Sequence, residues 1–282
     1  MNNLDLAPTL VMGARSGIGR LVLDDLLDRG MPVRASTRRP ERGQVPDGVE
    51  LVAADLTDRR SLEAAFTGVG QVFLFANHEG VGAVIGAAHS AGVERLVLLS
   101  SGAVIHPSSA GNRIAEEHRE IEEALAAGGL TVTPIRPLVL ATNALAWARA
   151  IRAGVPLALY QPDALTAPIH ERDIAAVTVA ALGGADGVSG MLTGSERLSQ
   201  RAQVAAIAAA IGREIPVVEL TRDDAMVHFL RFMPDWEAEA ILGFLGDAAA
   251  ENSIATDTVD VVLGRPALGF TRWAIDHADD YR

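Results

Sequence analysis

Thr9-Leu10-Val11-Met12-Gly13-Ala14-Arg15-Ser16-Gly17-Ile18-Gly19 is the stretch on which the fold turns. Thr9–Met12 reads as a strand, glycines follow at 13, 17 and 19, and an amphipathic pattern then runs over Gly19–Asp28, with Gly30 placed to cap its C-terminal end. A strand that turns sharply into a helix needs this spacing. Gly13 permits the tight turn, Gly17 lets backbone approach a ligand, and Gly19 lets the helix pack against the strand. The helix N-terminus then offers unpaired N–H groups and the positive end of its dipole, a cradle for a diphosphate. Arg15, Ser16 and Ile18 belong to the same loop.

Working outward, short apolar runs alternate with helical patterns. Val33–Thr37, Glu50–Ala53, Gln71–Ala76, Arg95–Ser100 and Thr131–Arg136 read as strands. Between them, Ser61–Phe66 (with Ser61 as candidate N-cap), Val81–Ala91 and Arg113–Ala127 read as helices. This alternation predicts an α/β fold: a Rossmann-type, doubly wound parallel sheet with right-handed crossovers and helices on both faces. Ligands in such sheets bind beyond the carboxyl ends of the strands, where the strand order reverses.

After Pro137 the rhythm changes. Asn143–Ala153, Asp173–Leu182 and Ser199–Ile211 read as helices, Met191–Thr193 and Pro216–Leu220 as short strands, and the rest as mostly helical to Tyr281. The expected organisation is a nucleotide-binding core over residues 1–140. A smaller, mostly helical lobe over 141–282 forms the substrate cleft, with some segments returning to the sheet. Met226, Phe229, Phe232, Met233 and Trp236 form an apolar cluster broken at Pro234, which reads first as core and second as a lid over a flat substrate.

Dinucleotide sites for NAD usually place an acid about 20 residues beyond the glycines, on the ribose 2′-hydroxyl. Here the strand ends Ser36-Thr37-Arg38-Arg39, without an acid. Arg38 and Arg39, joined by Arg15, can clamp a 2′-phosphate, so NADP(H) is the expected cofactor; solvated surface arginines are the competing reading. Asp55-Leu56 follows the third strand, where an acid can accept from the adenine amino group or simply approach the next helix. Ala76-Asn77 follows the fourth strand, on the nicotinamide-ribose side.

Composition narrows the chemistry. Among 282 residues the formal charge is −12, against a nucleic-acid surface, and no apolar run reaches the ~18 residues of a membrane span. The N-terminus reads as free of a signal peptide. Cysteine is absent, which excludes disulfides and thiolate catalysis and fits a cytoplasmic location. All 24 basic residues are arginine, so any mechanism needing a lysine is closed. No His/Asp/Glu grouping has metal-ligand spacing, and none is expected to hold a metal.

These residues resemble the short-chain dehydrogenase/reductase superfamily, through Gly-Ala-Arg-Ser-Gly-Ile-Gly at 13–19. Beyond them the chain resembles the atypical, NmrA-like branch, similar to type-2 NAD(P)H:quinone oxidoreductases and triphenylmethane reductases. The likeness lies in Ala-Glu-Glu-His-Arg-Glu-Ile-Glu-Glu-Ala-Leu at 115–125, Thr-Pro-Ile-Arg-Pro-Leu at 133–138 with Asn143 beyond, His-Glu-Arg-Asp-Ile-Ala at 170–175, Met-Leu-Thr-Gly-Ser at 191–195 and Leu263-Gly264. The resemblance implies NADPH binding, a cleft between lobes and hydride transfer to a quinone or other conjugated acceptor. It implies that Pro137 and Leu138 lie beside the nicotinamide, and that Ser100 and Ser101 follow the strand bearing the superfamily's catalytic serine. Some members of the branch bind nucleotide and act as redox-sensing regulators, so that alternative stands, as does a tailoring reductase of secondary metabolism. The chain departs from the superfamily's Tyr-x-x-x-Lys pair: only Tyr160 and Tyr281 are present, and no lysine.

Hydride transfer to a flat hydrophobic, conjugated small molecule asks the protein mainly for orientation and exclusion of water. Candidate hydrogen-bond donors are Ser101, His78, His106 and Asn143, each of which also reads as a loop or helix-start residue. Monomer and homodimer both remain open.

Overall fold

The computed structural model describes residues 7–15, 17–250 and 253–282; Ser16, read above as part of the phosphate loop, lies outside them. The chain divides into two compact units: 1–104, 116–136 and 171–190 form the first, and 105–115, 137–170 and 191–282 the second.

In the first unit, β1 (Thr9–Val11), β2 (Val33–Thr37), β3 (Glu50–Ala53), β4 (Gln71–Phe75), β5 (Arg95–Leu99) and β6 (Thr131–Pro137) pair in the order β3-β2-β1-β4-β5-β6, every pairing parallel. A seventh strand, β9 (Met191–Leu192), continues the order, and Leu138 N–H donates to Leu192 O at 3.0 Å. Central strands covered on both faces read as continuous apolar runs, which is why Val72-Phe73-Leu74 and Leu96-Val97-Leu98 are buried without alternation. The order reverses between β1 and β4, which places the crevice for a ligand at their carboxyl ends.

The helices follow the same economy. α1 (Gly17–Asp28) begins two residues before the amphipathic pattern suggested, so Gly17 and Ile18 already belong to its first turn. It buries Ile18, Val22, Leu23 and Leu26. α2 (Arg59–Phe66) starts earlier than read, because Asp58 rather than Ser61 is its N-cap: the Asp58 carboxylate accepts from Arg60 and Ser61 N–H. Both are cap-forming residue types, and the upstream one takes the exposed amides first, leaving the Ser61 hydroxyl to bond Asp58 O at 2.8 Å. α3 (Val81–Ala91) and α4 (Arg113–Ala127) span the expected ranges. A later helix, α6 (Glu171–Leu182), belongs to this unit and packs on α1. Gln71 Nε2 ties the end of α6 to the sheet, donating to Leu182 O and Thr9 Oγ1 at 3.1 Å each.

The second unit is mainly helical. After β6 the chain runs as a 3-10 stretch, Ala141–Trp147, and only then as α5 (Ala148–Ala153), so the single helix expected from Asn143 is split. β7 (Leu157–Tyr160) pairs in parallel with β11 (Val217–Leu220), and β8 (Leu165–Thr166) antiparallel with β10 (Leu198–Ser199). β7 and β8 escaped the sequence reading because both are short and flanked by Gly154, Pro156 and Pro162. α7 (Gln200–Ile211), capped by Ser199 through Ala202 N–H, packs with α11 (Phe270–Asp276) over a core containing Trp273, Phe270 and Tyr281. α8 (Arg222–Phe229) and α9 (Asp235–Ala249) are separated at Pro234, and α10 (Thr258–Leu263) follows. Phe232 stands between α8 and α9, 70% exposed, so the core reading fails for it; Met226, Phe229, Met233 and Trp236 are half-buried.

Candidate nucleotide site at the strand ends

The glycine loop is built as its chemistry requires. Gly13 has φ +63°, and a Cβ there would meet the Phe75 ring at 2.6 Å. A Cβ on Gly19 would lie 2.5 Å from Gly13 O and 2.9 Å from Met12 O, so only glycine brings α1 this close to the strand end. Gly17 has φ +60°, and nothing stands within 4 Å of where its Cβ would point. Gly13, Arg15 and Gly17 are exposed while Ile18 and Gly19 are buried, leaving backbone open at the mouth of α1. A helix mouth with open backbone at Gly17 fits the diphosphate of a dinucleotide.

Ala14 N–H donates to Ser36 O at 3.2 Å, joining the loop to the end of β2. That bond sets the backbone of Arg15 beside that of Thr37, Arg38 and Arg39. The Thr37 hydroxyl accepts from Arg39 N–H at 3.0 Å, turning the chain so that Arg38 and Arg39 emerge exposed. Ser36 Oγ is buried and has no partner among the described residues.

Asp55 is held below the ordinary carboxylate range by hydrogen bonds from the Thr57 backbone N–H and hydroxyl, and by the charge of Arg38. Arg38 and Asp55 therefore share one edge of the crevice. Both Thr57 bonds go to one Asp55 oxygen, Oδ1. Leu56 O lies 2.5 Å from where a Cβ on Gly80 would sit, so the loops after β3 and β4 are in close contact. Asn77 Oδ1 accepts from Gly80 N–H at 2.8 Å, which fixes the Ala76-Asn77 turn.

Ser100, directly after β5, belongs to a network absent from the sequence reading. Its hydroxyl donates to Glu122 Oε1 at 2.5 Å. Glu122 is paired with Arg136 by two contacts, 3.0 Å from Nε and 2.5 Å from Nη2, and Arg136 Nη1 donates to Ser189 O at 2.9 Å. The two charged side chains are only 12% and 18% exposed. The signal available in sequence was modest: an arginine inside an apolar strand and an acid between Ile121 and Leu125 on a buried helix stripe. With its hydrogen committed to Glu122, Ser100 is a holding group for the end of β5.

The four proposed donors fare differently. Ser101 Oγ accepts from Ala103 N–H at 3.2 Å, which leaves its hydrogen free to donate. His78 is 62% exposed and bonds Glu120 at 3.1 Å, a surface pair. Asn143 is exposed within the 3-10 stretch. His106 is buried at 6% exposure: Nδ1 accepts from Ser108 N–H at 3.2 Å, Phe244 stands edge-on to the ring, and Nε2 has no partner among the described residues. Burial lowers the pKa of His106, and Asp247 partly opposes the shift. Pro137 is buried and Leu138 half-buried in the second unit, next to β9. Tyr281 is buried against Trp273, and burial raises its phenol well above the ordinary value. Among the described residues no group of His, Asp or Glu could hold a metal ion, and no helix is long and apolar enough to cross a membrane.

A parallel sheet with this strand order, a glycine-lined helix mouth at its reversal point and arginines beside it defines an α/β protein of the dinucleotide-binding class. The family model described as NAD(P)H-binding matches residues 13–185, and the chain belongs to that family. It is 39% identical to (4-alkanoyl-5-oxo-2,5-dihydrofuran-3-yl)methyl phosphate reductase of Streptomyces griseus, over 96% of this chain and 98% of that one. It is 31% identical to an NAD(P)H azoreductase of Xenophilus azovorans, over 95% and 97%. The NADPH-dependent quinone oxidoreductase of Escherichia coli, solved with NADPH, superimposes with a TM-score of 0.78 at 22% identity, covering 94% of this chain and 98% of that one. The chain is an NAD(P)H-dependent oxidoreductase.

Proposed function

We propose that this oxidoreductase uses NADPH in preference to NADH and reduces a flat, conjugated carbonyl compound, of the butenolide or quinone kind. The observation that carries the cofactor preference is the Ala14–Ser36 bond, which aligns the Arg15 loop with a strand end bearing Arg38 and Arg39 and no acid. Guanidinium groups there bind a 2′-phosphate through charge-assisted bonds, where an NAD site would carry a carboxylate for the 2′-hydroxyl. When bound, the reduced nicotinamide supplies a hydride.

The residues of the chain then bind, orient and hold. Backbone N–H groups at the mouth of α1 take the diphosphate, with Ser16 as part of that loop. Asp55 and Leu56 flank the adenine, and Ala76, Asn77 and Ser100 line the nicotinamide side. The Glu122–Arg136 pair keeps Ser100 in place. No residue acts as a Tyr–Lys acid pair, since lysine is absent. A conjugated acceptor suits that deficit, because the arriving charge is delocalised and water can complete protonation. The full-length relatives named for a butenolide phosphate and an azo substrate support a conjugated acceptor.

The test is calorimetry with NADPH and NADH, followed by an acceptor screen with an alkanoyl-butenolide methyl phosphate, menadione and methyl red. NADPH binding at least tenfold tighter than NADH, with turnover of a carbonyl acceptor, is expected. Tight NADPH binding with no turnover on any acceptor would overturn the substrate reading, and equal affinity for both nucleotides the cofactor preference.

A further inference from the structure

Arg38 has an acid for a neighbour. β2 and β3 run in parallel register as far as Thr37 and Ala53, and just beyond it Ala54 N–H donates to Thr37 O at 3.0 Å. Arg38 and Asp55 each follow that bond by one residue, so two adjacent strand ends release a cation and an anion side by side. Arg38 is exposed at the end of a long side chain, but Asp55 is fixed. Its N–H donates to Ser61 Oγ at 3.0 Å, and its Oδ1 accepts from the Thr57 N–H at 2.9 Å and hydroxyl at 2.8 Å, which leaves Oδ2 outside the turn. The bonds from Thr57, with the charge of Arg38, hold the Asp55 carboxyl below the ordinary value, so it is ionised at neutral pH. A negative charge is thus built in beside the guanidinium that a 2′-phosphate engages.

Resting on the reading that Arg38 binds the 2′-phosphate of NADPH, we propose that Asp55 is a specificity-determining residue that competes with that phosphate for Arg38 and so narrows the preference for NADPH over NADH. In the free protein the carboxylate attracts the guanidinium. NADPH must draw Arg38 away and bring its own negative charge close to Asp55, and both effects act against it. NADH carries a hydroxyl at the same position, makes no demand on Arg38 and escapes the cost. Specificity is a difference of two affinities, so a group that penalises one ligand alone sets the ratio without touching the shared contacts. Any bond from Asp55 to the adenine is the same for both cofactors and cancels. A carboxylate that only steadied Arg38 for the phosphate would act with the opposite sign, which makes the direction of the effect decisive.

Calorimetry at low ionic strength, where exposed charges are least screened, tests this. NADPH and NADH are titrated into wild type, Asp55→Asn, Arg38→Ala and the double variant. Asparagine keeps an oxygen for the Thr57 bonds and removes only the charge. Asp55→Asn should raise the ratio of NADPH to NADH affinity roughly two- to fivefold, the range of an exposed ion pair, and in the Arg38→Ala background that gain should disappear. Asp55→Ser, which removes the charge with a different side chain, should repeat the result. An unchanged or lowered ratio in both single Asp55 variants overturns the proposal, and so does a gain that persists in full without Arg38. A second pair of probes needs no nicotinamide. Adenosine 2′,5′-bisphosphate should bind Asp55→Asn more tightly than wild type, while 5′-AMP should bind the two alike; equal changes for both probes refute the role. Equal affinity of the wild type for NADPH and NADH counts against the cofactor preference itself, and the bisphosphate titration still decides whether Asp55 opposes a 2′-phosphate.

Discussion

Replacing Glu122 with leucine would show what the buried network beneath the end of β5 is worth. The substitution removes the partner of Arg136 and the acceptor for Ser100 together. Arg136 then keeps only the carbonyl of Ser189, while its side chain is 18% exposed. Breaking a buried ion pair from one side costs about 3–5 kcal/mol; the residual exposure argues for the lower end, about 3 kcal/mol. A buried hydroxyl left without its acceptor adds about 1 kcal/mol. The expected loss of about 4 kcal/mol is a large share of the roughly 5–15 kcal/mol that holds a domain folded, and corresponds to a fall in Tm on the order of 10 °C. Urea denaturation followed by circular dichroism measures it. The companion variant, Glu122→Leu with Arg136→Met, should recover most of the loss, because two apolar side chains pack where two charges had to be desolvated. A single-variant loss below about 1 kcal/mol, or a double variant as unstable as the sum of its parts, would refute the reasoning.

Within the glycine loop, Gly19→Ala should be the damaging change. Its Cβ meets backbone at 2.5 Å, so the loop must shift at a cost of about 1–3 kcal/mol and NADPH affinity should fall with it. Gly17→Ala meets nothing and bears only its positive φ, about 1 kcal/mol; calorimetry on both would expose an inverted order. Arg38→Ala should weaken NADPH by about 1.5–3 kcal/mol and leave NADH nearly unchanged, and equal losses would remove the 2′-phosphate role. The buried imidazole of His106 predicts a stability trend with pH. Its folded pKa lies below the ordinary value near 6.5, so the unfolded chain takes the proton first as pH falls. This contribution is complete above that ordinary value and declines as pH drops toward the folded pKa. Denaturation between about pH 7.5 and 5 should therefore show a decline for wild type that is smaller in His106→Phe.

The first unit was legible because its cues are local. A glycine at each tight approach, continuous apolar strands and capped helices name β1 to β6 and their crossovers within a residue or two. Boundaries slipped where two residues compete for one role, as Asp58 and Ser61 do at the start of α2. In the second unit, β7 and β8 have two to four residues, too few to show a period, and they exist because β11 and β10 pair with them. Glu122 and Arg136 were unreadable for another reason. A surface helix rich in acids looks the same whether one of them points inward, and only the fold brings β6 beneath it. The isolation of Nε2 on His106 is likewise a property of packing, since no pattern of neighbours in the chain announces a missing acceptor.

The helix that lies along α1 has a consequence for how the molecule comes into being. Ile174, Val177 and Leu182 are buried, and α6 is tethered to β1 and β4 through Gln71. A fragment ending near residue 140 would carry the whole phosphate loop yet leave α1 without its neighbour, and should be sticky and poorly soluble. On the ribosome, the nucleotide module cannot close until the chain has been made to about residue 190. By then the second unit has only its segments 105–115 and 137–170, and 191–282 is still to come, so the first unit's chain is complete while the larger part of the second is unmade.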